Sequence, residues 1–275
     1  MFAAVAKAAA QAAPQTLKGK IDNLYVDADG LCYFCAGSST TTPQQSLLNV
    51  QEKLKGVEQV AGQRATLVCT ASGSPKGGRY TIATVKPYQG NRGKGPKPAN
   101  WAFLRDRMLA GEFGRPMLVE KHAEADDLCA SLAGPRTALH YQDKDFRMMP
   151  GWHITWKDYA IVFVSDQQFR VDHDGLIYGE AWFWHQMLMG DGADNIPGIP
   201  KLFGKLCGEK RARDYLADVH DRRTAQKLVE AAYRDHYGDD LWWPMMREQG
   251  QLLWMRREPD DALDVLHHPF KGYEA

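Results

Sequence analysis

The hydrophobic positions of this chain fall into short runs that end on an acid, separated by stretches of helical period. Asn23-Leu24-Tyr25-Val26-Asp27 is the first such run, read as a buried strand that delivers Asp27 to a sheet edge. Thr42-Pro43 then opens a helix predicted to run to about Gly56, with Thr42 as N-cap and Pro43 at the first helical position. Ala65-Thr66-Leu67-Val68-Cys69-Thr70 reads as the second strand. Strand–helix–strand order predicts an α/β fold with a mostly parallel sheet, whose site lies beyond the carboxyl ends of the strands. Downstream, Asn100 caps a helix through about Ala110, stopped by Gly111. Glu124 to about Leu132 is helical, and Thr137-Ala138-Leu139-His140 is a short strand before Asp143-Lys144-Asp145. Strand-like runs follow at Ala160 to Ser165 and near Phe169-Arg170-Val171. A Trp- and Met-rich helix is expected from about Gly179 to Met189, and Glu209 to Arg257 is mostly helical, punctuated by Pro244 and Gly250. No internal repeat is visible.

Composition narrows the class without naming a function. A chain of 275 residues buries a full core, and no run reaches the length of a membrane span. The 34 basic and 34 acidic residues cancel, so only the distribution of charge is informative. Five cysteines, Cys32, Cys35, Cys69, Cys129 and Cys207, sit in apolar surroundings and read as reduced, buried thiols of a cytoplasmic protein. Cys32 and Cys35 form a C-x-x-C, but no second pair stands at zinc spacing. The alanine-rich start, Met1 to about Gln15, lacks the charged beginning and solid apolar core of a signal peptide, and is expected to be a tail or frayed helix.

Between Ser72 and Pro98 the chain becomes rich in Gly and Pro, carries Lys76, Arg79, Lys86, Arg92, Lys94 and Lys97, and contains no acid. Tyr80 and Tyr88 interleave with the cations. Such a segment is either a solvated flexible loop or a grip on single-stranded nucleic acid.

Acids recur where strands end or helices begin: Asp27 and Asp29; Glu124, Asp126 and Asp127; Asp143 and Asp145; Asp191 and Asp194. Singly, each has a structural explanation as a turn, a dipole-stabilised first helical turn or a solvated loop. Together they suit divalent cations, because hard ions take carboxylates and two of them can activate water and stabilise a leaving oxygen in phosphodiester cleavage. The last pair sits in Gly190-Asp191-Gly192-Ala193-Asp194-Asn195-Ile196-Pro197-Gly198-Ile199-Pro200, which leads into Lys201-Leu202-Phe203-Gly204-Lys205. A turn that frees backbone amides ahead of lysines suits a phosphodiester backbone.

The series Val26-Asp27-Ala28-Asp29-Gly30, Tyr88-Gln89-Gly90-Asn91-Arg92, Glu124-Ala125-Asp126-Asp127-Leu128, Asp143-Lys144-Asp145-Phe146 and Gly190 to Gly198 resembles the 5′-nuclease superfamily in order and spacing from about Leu24 to Lys210. That superfamily includes flap endonucleases, the 5′-nuclease domain of DNA polymerase I and phage 5′–3′ exonucleases. The Asp-Lys-Asp-Phe-Arg run and the late Gly250-Gln251-Leu252-Leu253-Trp254-Met255-Arg256 look most like the phage enzymes. The resemblance implies a PIN-like catalytic domain over 21–180, with residues 1–20 as the tail and an arch or flexible loop at 72–98. A helix–three-turn–helix and a helical region would fill 181–275. It implies two Mg²⁺ or Mn²⁺ ions on Asp27, Glu124, Asp126, Asp127, Asp143, Asp145, Asp191 and Asp194, with Lys86, Tyr88 and Arg92 serving catalysis. Duplex DNA with a 5′ end or 5′ flap would contact Lys94, Lys97, Asn195, Gly198, Ile199, Lys201, Gly204 and Lys205, with a K⁺ ion at the helix–three-turn–helix. RNA–DNA hybrids are a further possible substrate. No polymerase-like extension follows, so a stand-alone nuclease is expected.

Two departures from the resemblance stand out. Ala71-Ser72-Gly73-Ser74 occupies the place where the family has a further aspartate after the second strand. Gln89 takes the place of the family's arch lysine, which the resemblance puts on the scissile phosphate, and Lys86 or Lys94 is expected to replace it. Two alternatives remain. One is a non-catalytic relative that only binds branched DNA. The other is a haloacid-dehalogenase-like phosphatase, whose D-x-D and G-D-G-x-x-D are matched by Asp27/Asp29 and Gly190 to Asp194, but whose late motif should follow a strand.

Overall fold

The computed structural model describes residues 16–92 and 95–258. Its centre is one sheet built from β1 (Asn23–Asp27), β2 (Ala65–Thr70), β3 (Met117–Glu120), β4 (Thr137–His140), β5 (Gly151–Ile154) and β6 (Ile161–Val164). The strand order is β3-β2-β1-β4-β5-β6, parallel throughout except for the antiparallel edge pair β5–β6. The mostly parallel α/β sheet predicted from strand–helix–strand order is thus present. Sequence order reverses direction on either side of β1, so the crevice between β1 and β4 is the switch point at which α/β sheets place their sites.

Alternation along the strands feeds two cores. On one side, Leu24, Val26, Leu67, Cys69 and Ala138 pack with α1 (Ala28–Cys35), α2 (Pro43–Ala61) and α4 (Trp101–Leu109). On the other, Val68 and Leu139 meet α5 (Ala125–Leu132), α6 (Glu180–Met189), α7 (Glu209–Tyr215), α8 (Arg222–Tyr237) and α9 (Trp242–Leu253). Helix α6 is buried nearly all round, with Phe183, Trp184, Met187 and Leu188 fully covered. Each such side chain stabilises the fold by about 1.5–3 kcal/mol relative to exposure, which fixes the helix end that carries Asp191.

Several boundaries differ from expectation for local reasons. Helix α2 passes Gly56 and ends at Gly62, whose φ of 65° supplies the left-handed cap. Gly56 is instead a close-packing position, since a Cβ there would lie 2.7 Å from the Tyr159 hydroxyl. Pro244 falls in the first turn of α9, where no N–H is needed, and Gly250 is buried inside that helix. The tail expected to reach residue 20 is already packed at Leu17, which is buried and donates to the Val60 carbonyl at 2.9 Å; the rest of it, 1–15, lies outside the described residues. Strands β3 and β5 escaped the sequence reading, β3 because it is an edge strand with Leu118 and Val119 exposed, β5 because it buries His153. The C-x-x-C lies in α1 with both cysteines buried and unbridged, and burial pushes the Cys35 thiol up to about 12. No helix among the described residues is long and apolar enough to cross a membrane.

The basic segment is not a solvated loop in its first half. A 3₁₀ turn over Lys76–Gly78 and the short α3 (Arg79–Ile82) lie against the domain. Arg79 is fully buried and forks onto Asp127 at 2.6 and 2.8 Å, with further bonds to the Leu252 and Trp254 carbonyls.

Among the described residues three histidines are buried, His140, His153 and His185, and burial lowers each ring to about 4. The unfolded chain, with rings near 6.5, binds more protons than the native state between pH 6.5 and 4. Stability present above pH 6.5 is therefore lost as pH falls to 4, by about 3 kcal/mol per ring. Urea unfolding across that range should show a shallower loss for His153→Gln than for the natural chain. Equal slopes would mean that His153 is charged or exposed in the native state.

Candidate metal centre and nucleic-acid interface

Four chain segments deliver the acids to the switch point. Asp27 closes β1 and caps α1, its Oδ1 accepting from Gly30 N at 3.0 Å. Glu124 caps α5 in a capping box with Asp127, and Thr70 Oγ1 at the end of β2 accepts from Ala125 N at 2.9 Å. Asp143 caps a 3₁₀ turn over Lys144–Met148 after β4, and its Oδ1 accepts from Asp145 N at 3.0 Å. Asp191 and Asp194 sit in the turn after α6, closed by reciprocal 2.8 Å bonds between Asp191 and Ile196. Gly190 and Gly198, with φ of 72° and 62°, pass each other so closely that a Cβ on either would lie 2.3 Å from the opposing backbone. Gly190 and Gly198 make this crossing possible, and the two acids ride on it.

The acids gather in two groups. Carboxylate oxygens of buried Asp145, Asp191 and Asp194 lie within 4.8 Å of one another, a set able to hold a metal ion. The other group is joined electrostatically. Burial raises Asp27 to about 7, with repulsion from Asp29 and Asp143 adding to it. Asp126 is held well above the carboxylate range by burial and by Asp143, Asp27, Glu124 and Asp127. Asp145 and Asp194 are raised by burial and then by like charges, partly offset by Lys144 and Arg92. Carboxyls held up by one another in this way are relieved by a cation.

Protein cations already reach into the cluster. Lys144 Nζ bridges Asp191 Oδ2 at 2.6 Å and Asp145 Oδ1 at 3.1 Å. Arg92 pairs with Asp194. Tyr88 is buried, with its hydroxyl 2.7 Å from Glu124 Oε2 and 3.1 Å from Asp194 Oδ2, so Tyr88 and Arg92 both lie against acids of the cluster. Glu124 is held low, against its burial, by Arg79 and Lys76. Gln186, from the apolar helix α6, donates to Asp145 Oδ1 at 2.6 Å. Sequence reasoning missed Gln186, Lys76, Lys144 and Arg79; a lone buried amide in the run Trp182 to Met189 was the one signal for Gln186.

Several expected site residues have other tasks. Asp127 is the counter-ion of Arg79 and also accepts from Arg256 N at 3.0 Å, so its oxygens are spoken for. Lys86 is exposed, with no described contact to an acid of the cluster, and Lys94 lies outside the described residues. Ile199 is fully buried and its N–H donates to Leu188 O, while the Gly198 carbonyl accepts from Tyr237 Oη at 2.9 Å. Asn195 donates to Pro87 O at 2.9 Å. Lys97 is exposed over the Trp101 ring, its Nζ 3.4 Å from the centroid. Lys201, Gly204 and Lys205 are exposed on a ribbon of β7 (Lys201–Leu202) and β8 (Lys205–Leu206) between α6 and α7. Asp29 is engaged by Arg105 and by Thr70 N. The late Gly-Asp-Gly follows a helix, which is not the phosphatase arrangement.

No family model matches the chain. DNA polymerase I of Deinococcus radiodurans is 27% identical over 154 residues, spanning 53% of this chain and 15% of that protein. Among solved structures, the bacteriophage T5 D15 protein co-crystallised with metal ions aligns with a TM-score of 0.55 at 16% identity, covering 83% of this chain and 89% of that one. A pseudo-enzyme-product complex of T5 D15 flap endonuclease with DNA and metal ions gives 0.55 at 15% identity, covering 83% and 89%. T5 5′-exonuclease with bound zinc gives 0.54 at 15%, covering 84% and 89%. The chain thus has the fold of the phage 5′-nucleases, and the polymerase match fits the 5′-nuclease superfamily that the motifs resemble.

Proposed function

We propose that this chain is a metal-dependent nuclease that hydrolyses phosphodiester bonds near 5′ ends of DNA, as a 5′–3′ exonuclease or flap endonuclease. The observation that carries the reading is the pair of acid groups meeting at the β1/β4 switch point, too mutually repulsive to serve as mere surface charge. Asp27, Asp126 and Asp143 would hold one divalent ion and Asp145, Asp191 and Asp194 the other, with Glu124 at their border. Oxygen-only donors suit Mg²⁺ or Mn²⁺. When bound, such ions supply an acidified water and charge stabilisation at phosphorus. The chain's own part is to fix the carboxylates, hold Arg92 and Tyr88 beside them, and grip the duplex. Residues 21–180 would form the catalytic domain and 181–275 the duplex-binding part, with the exposed ribbon lysines on phosphates.

Incubation of the protein with Mg²⁺ or Mn²⁺ and 5′-labelled duplex, single-stranded and flap DNA should release short 5′ products, and EDTA should stop it. Metal-independent binding without turnover on any of the three substrates would favour the non-catalytic relative. Lys201→Ala and Lys205→Ala should each weaken duplex affinity and reduce the slope of log affinity against log salt by about one. An unchanged slope would remove the ribbon from the interface.

A further inference from the structure

The acid cluster has a charged rim. Lys76 Nζ lies 2.9 Å from Glu124 Oε1 and 2.7 Å from Gln89 Oε1. Gln89 Nε2 reaches the same Glu124 oxygen at 3.2 Å. The other Glu124 oxygen meets Tyr88, Tyr88 meets Asp194, and Asp194 holds Arg92. Lys76 and Arg92 are therefore the two cationic ends of one continuous string along the edge of the site.

The backbone is bent to present Lys76 there. Its φ of 51° lies in the left-handed region that L residues rarely adopt. The surroundings impose it: Lys76 N donates to Ser74 Oγ at 3.1 Å, Ser74 Oγ to Ala123 O at 2.6 Å, and Gly77 N to His122 O at 2.7 Å. Three residues on, the buried Arg79 fork pins the segment to α5. A strained residue held by such over-determination is characteristic of working positions. Ser74 and the glycines after Lys76, which looked like loop composition, are what the bend requires.

We propose that Lys76 is a further catalytic residue, whose ammonium passes from Glu124 to a non-bridging oxygen of the scissile phosphate, across from Arg92. There it stabilises the negative charge that grows as the water oxygen bonds to phosphorus and the bond to the leaving oxygen breaks. Lys76 keeps its three protons throughout; the proton lost by water goes to solvent and the leaving oxygen takes up one. Lys86 and Lys94, expected to supply this charge, are not needed for it, and neutral Gln89 serves to hold the ammonium ready. The proposal rests on the nuclease reading above.

The test is a charge transposition. Lys76→Met should slow single-turnover cleavage of a 5′-labelled duplex about 100-fold, the usual effect of losing one donor to a developing oxyanion. Its affinity for the same duplex in EDTA should stay within about twofold, because the lost contact is made only during reaction. Lys76→Gln keeps a hydrogen bond for Glu124 and serves as the second single variant if the methionine fails to fold. Adding Gln89→Lys to Lys76→Gln should recover at least about tenfold of the lost rate, since residue 89 reaches the same oxygen. Wild-type cleavage by Lys76→Met, a parallel loss of affinity in EDTA, or no recovery in a double variant that melts like the natural chain would each overturn the proposal. Absence of cleavage by the natural chain would overturn the nuclease reading, and this inference with it.

Discussion

Arg79→Met will cost the protein about 3–5 kcal/mol of stability, because it leaves the Asp127 carboxylate buried without its charge partner. Arg79 joins three regions distant in sequence: the segment after β2, the start of α5 through Asp127, and the end of α9 through Leu252 O and Trp254 O. Loss of the fork releases all three. Methionine covers the same apolar walls, so the loss will report on charge and hydrogen bonding more than on volume. Urea unfolding should show the midpoint fall with little change in slope. A cost below about 1 kcal/mol would mean that water reaches Asp127 and that the ion pair is ordinary surface electrostatics. Adding Asp127→Leu to Arg79→Met should return only part of the loss, since Glu124 N and Arg256 N also donate to Asp127.

The largest effect on activity is expected at Asp191. Asp191→Asn keeps an acceptor for Ala193 N, and so keeps the turn, but removes one negative charge from the group with Asp145 and Asp194. If that group holds a divalent ion, turnover should fall by about 10³-fold or more, the equivalent of about 4 kcal/mol of lost charge stabilisation. Duplex binding in EDTA should hold or improve, as there is one less anion to repel the phosphates. A matching loss of binding and turnover would instead give Asp191 a structural role, and unaltered turnover would remove the group from the chemistry.

Much of this architecture was legible along the chain. The run Leu24 to Val26, the Thr42-Pro43 cap, the helix start at Glu124 and the Gly190–Gly198 turn are local devices, each specified by residues within a few positions of one another. The ends of β1 and β4 and the starts of the acid-bearing turns were found for that reason. Strands β3 and β5 were not, because an exposed edge strand and a strand that buries a histidine carry no alternation to read. Among the acids, all eight expected ligands reach the same region, yet Asp127 looks like its neighbours in sequence and differs only in having Arg79 against it. The motif suggests a phosphate grip for Ile199, whereas burial and its bond to Leu188 O at the end of α6 give it to the core.

The order of residues alone specifies the mostly parallel α/β fold, the places where acids leave it and the Gly- and Pro-rich turn that carries Asp191 and Asp194, since periodicity, caps and turn residues act over short range. Which charge answers which is settled by the folded packing. Arg79 lies 48 residues from Asp127 and Lys144 lies 47 from Asp191, and nothing in a basic, glycine-rich stretch marks one cation as a buried anchor and another as the rim of a site. Coulombic pairing depends on distance and on how much water has been excluded, and both are properties of the folded packing rather than of the order of residues.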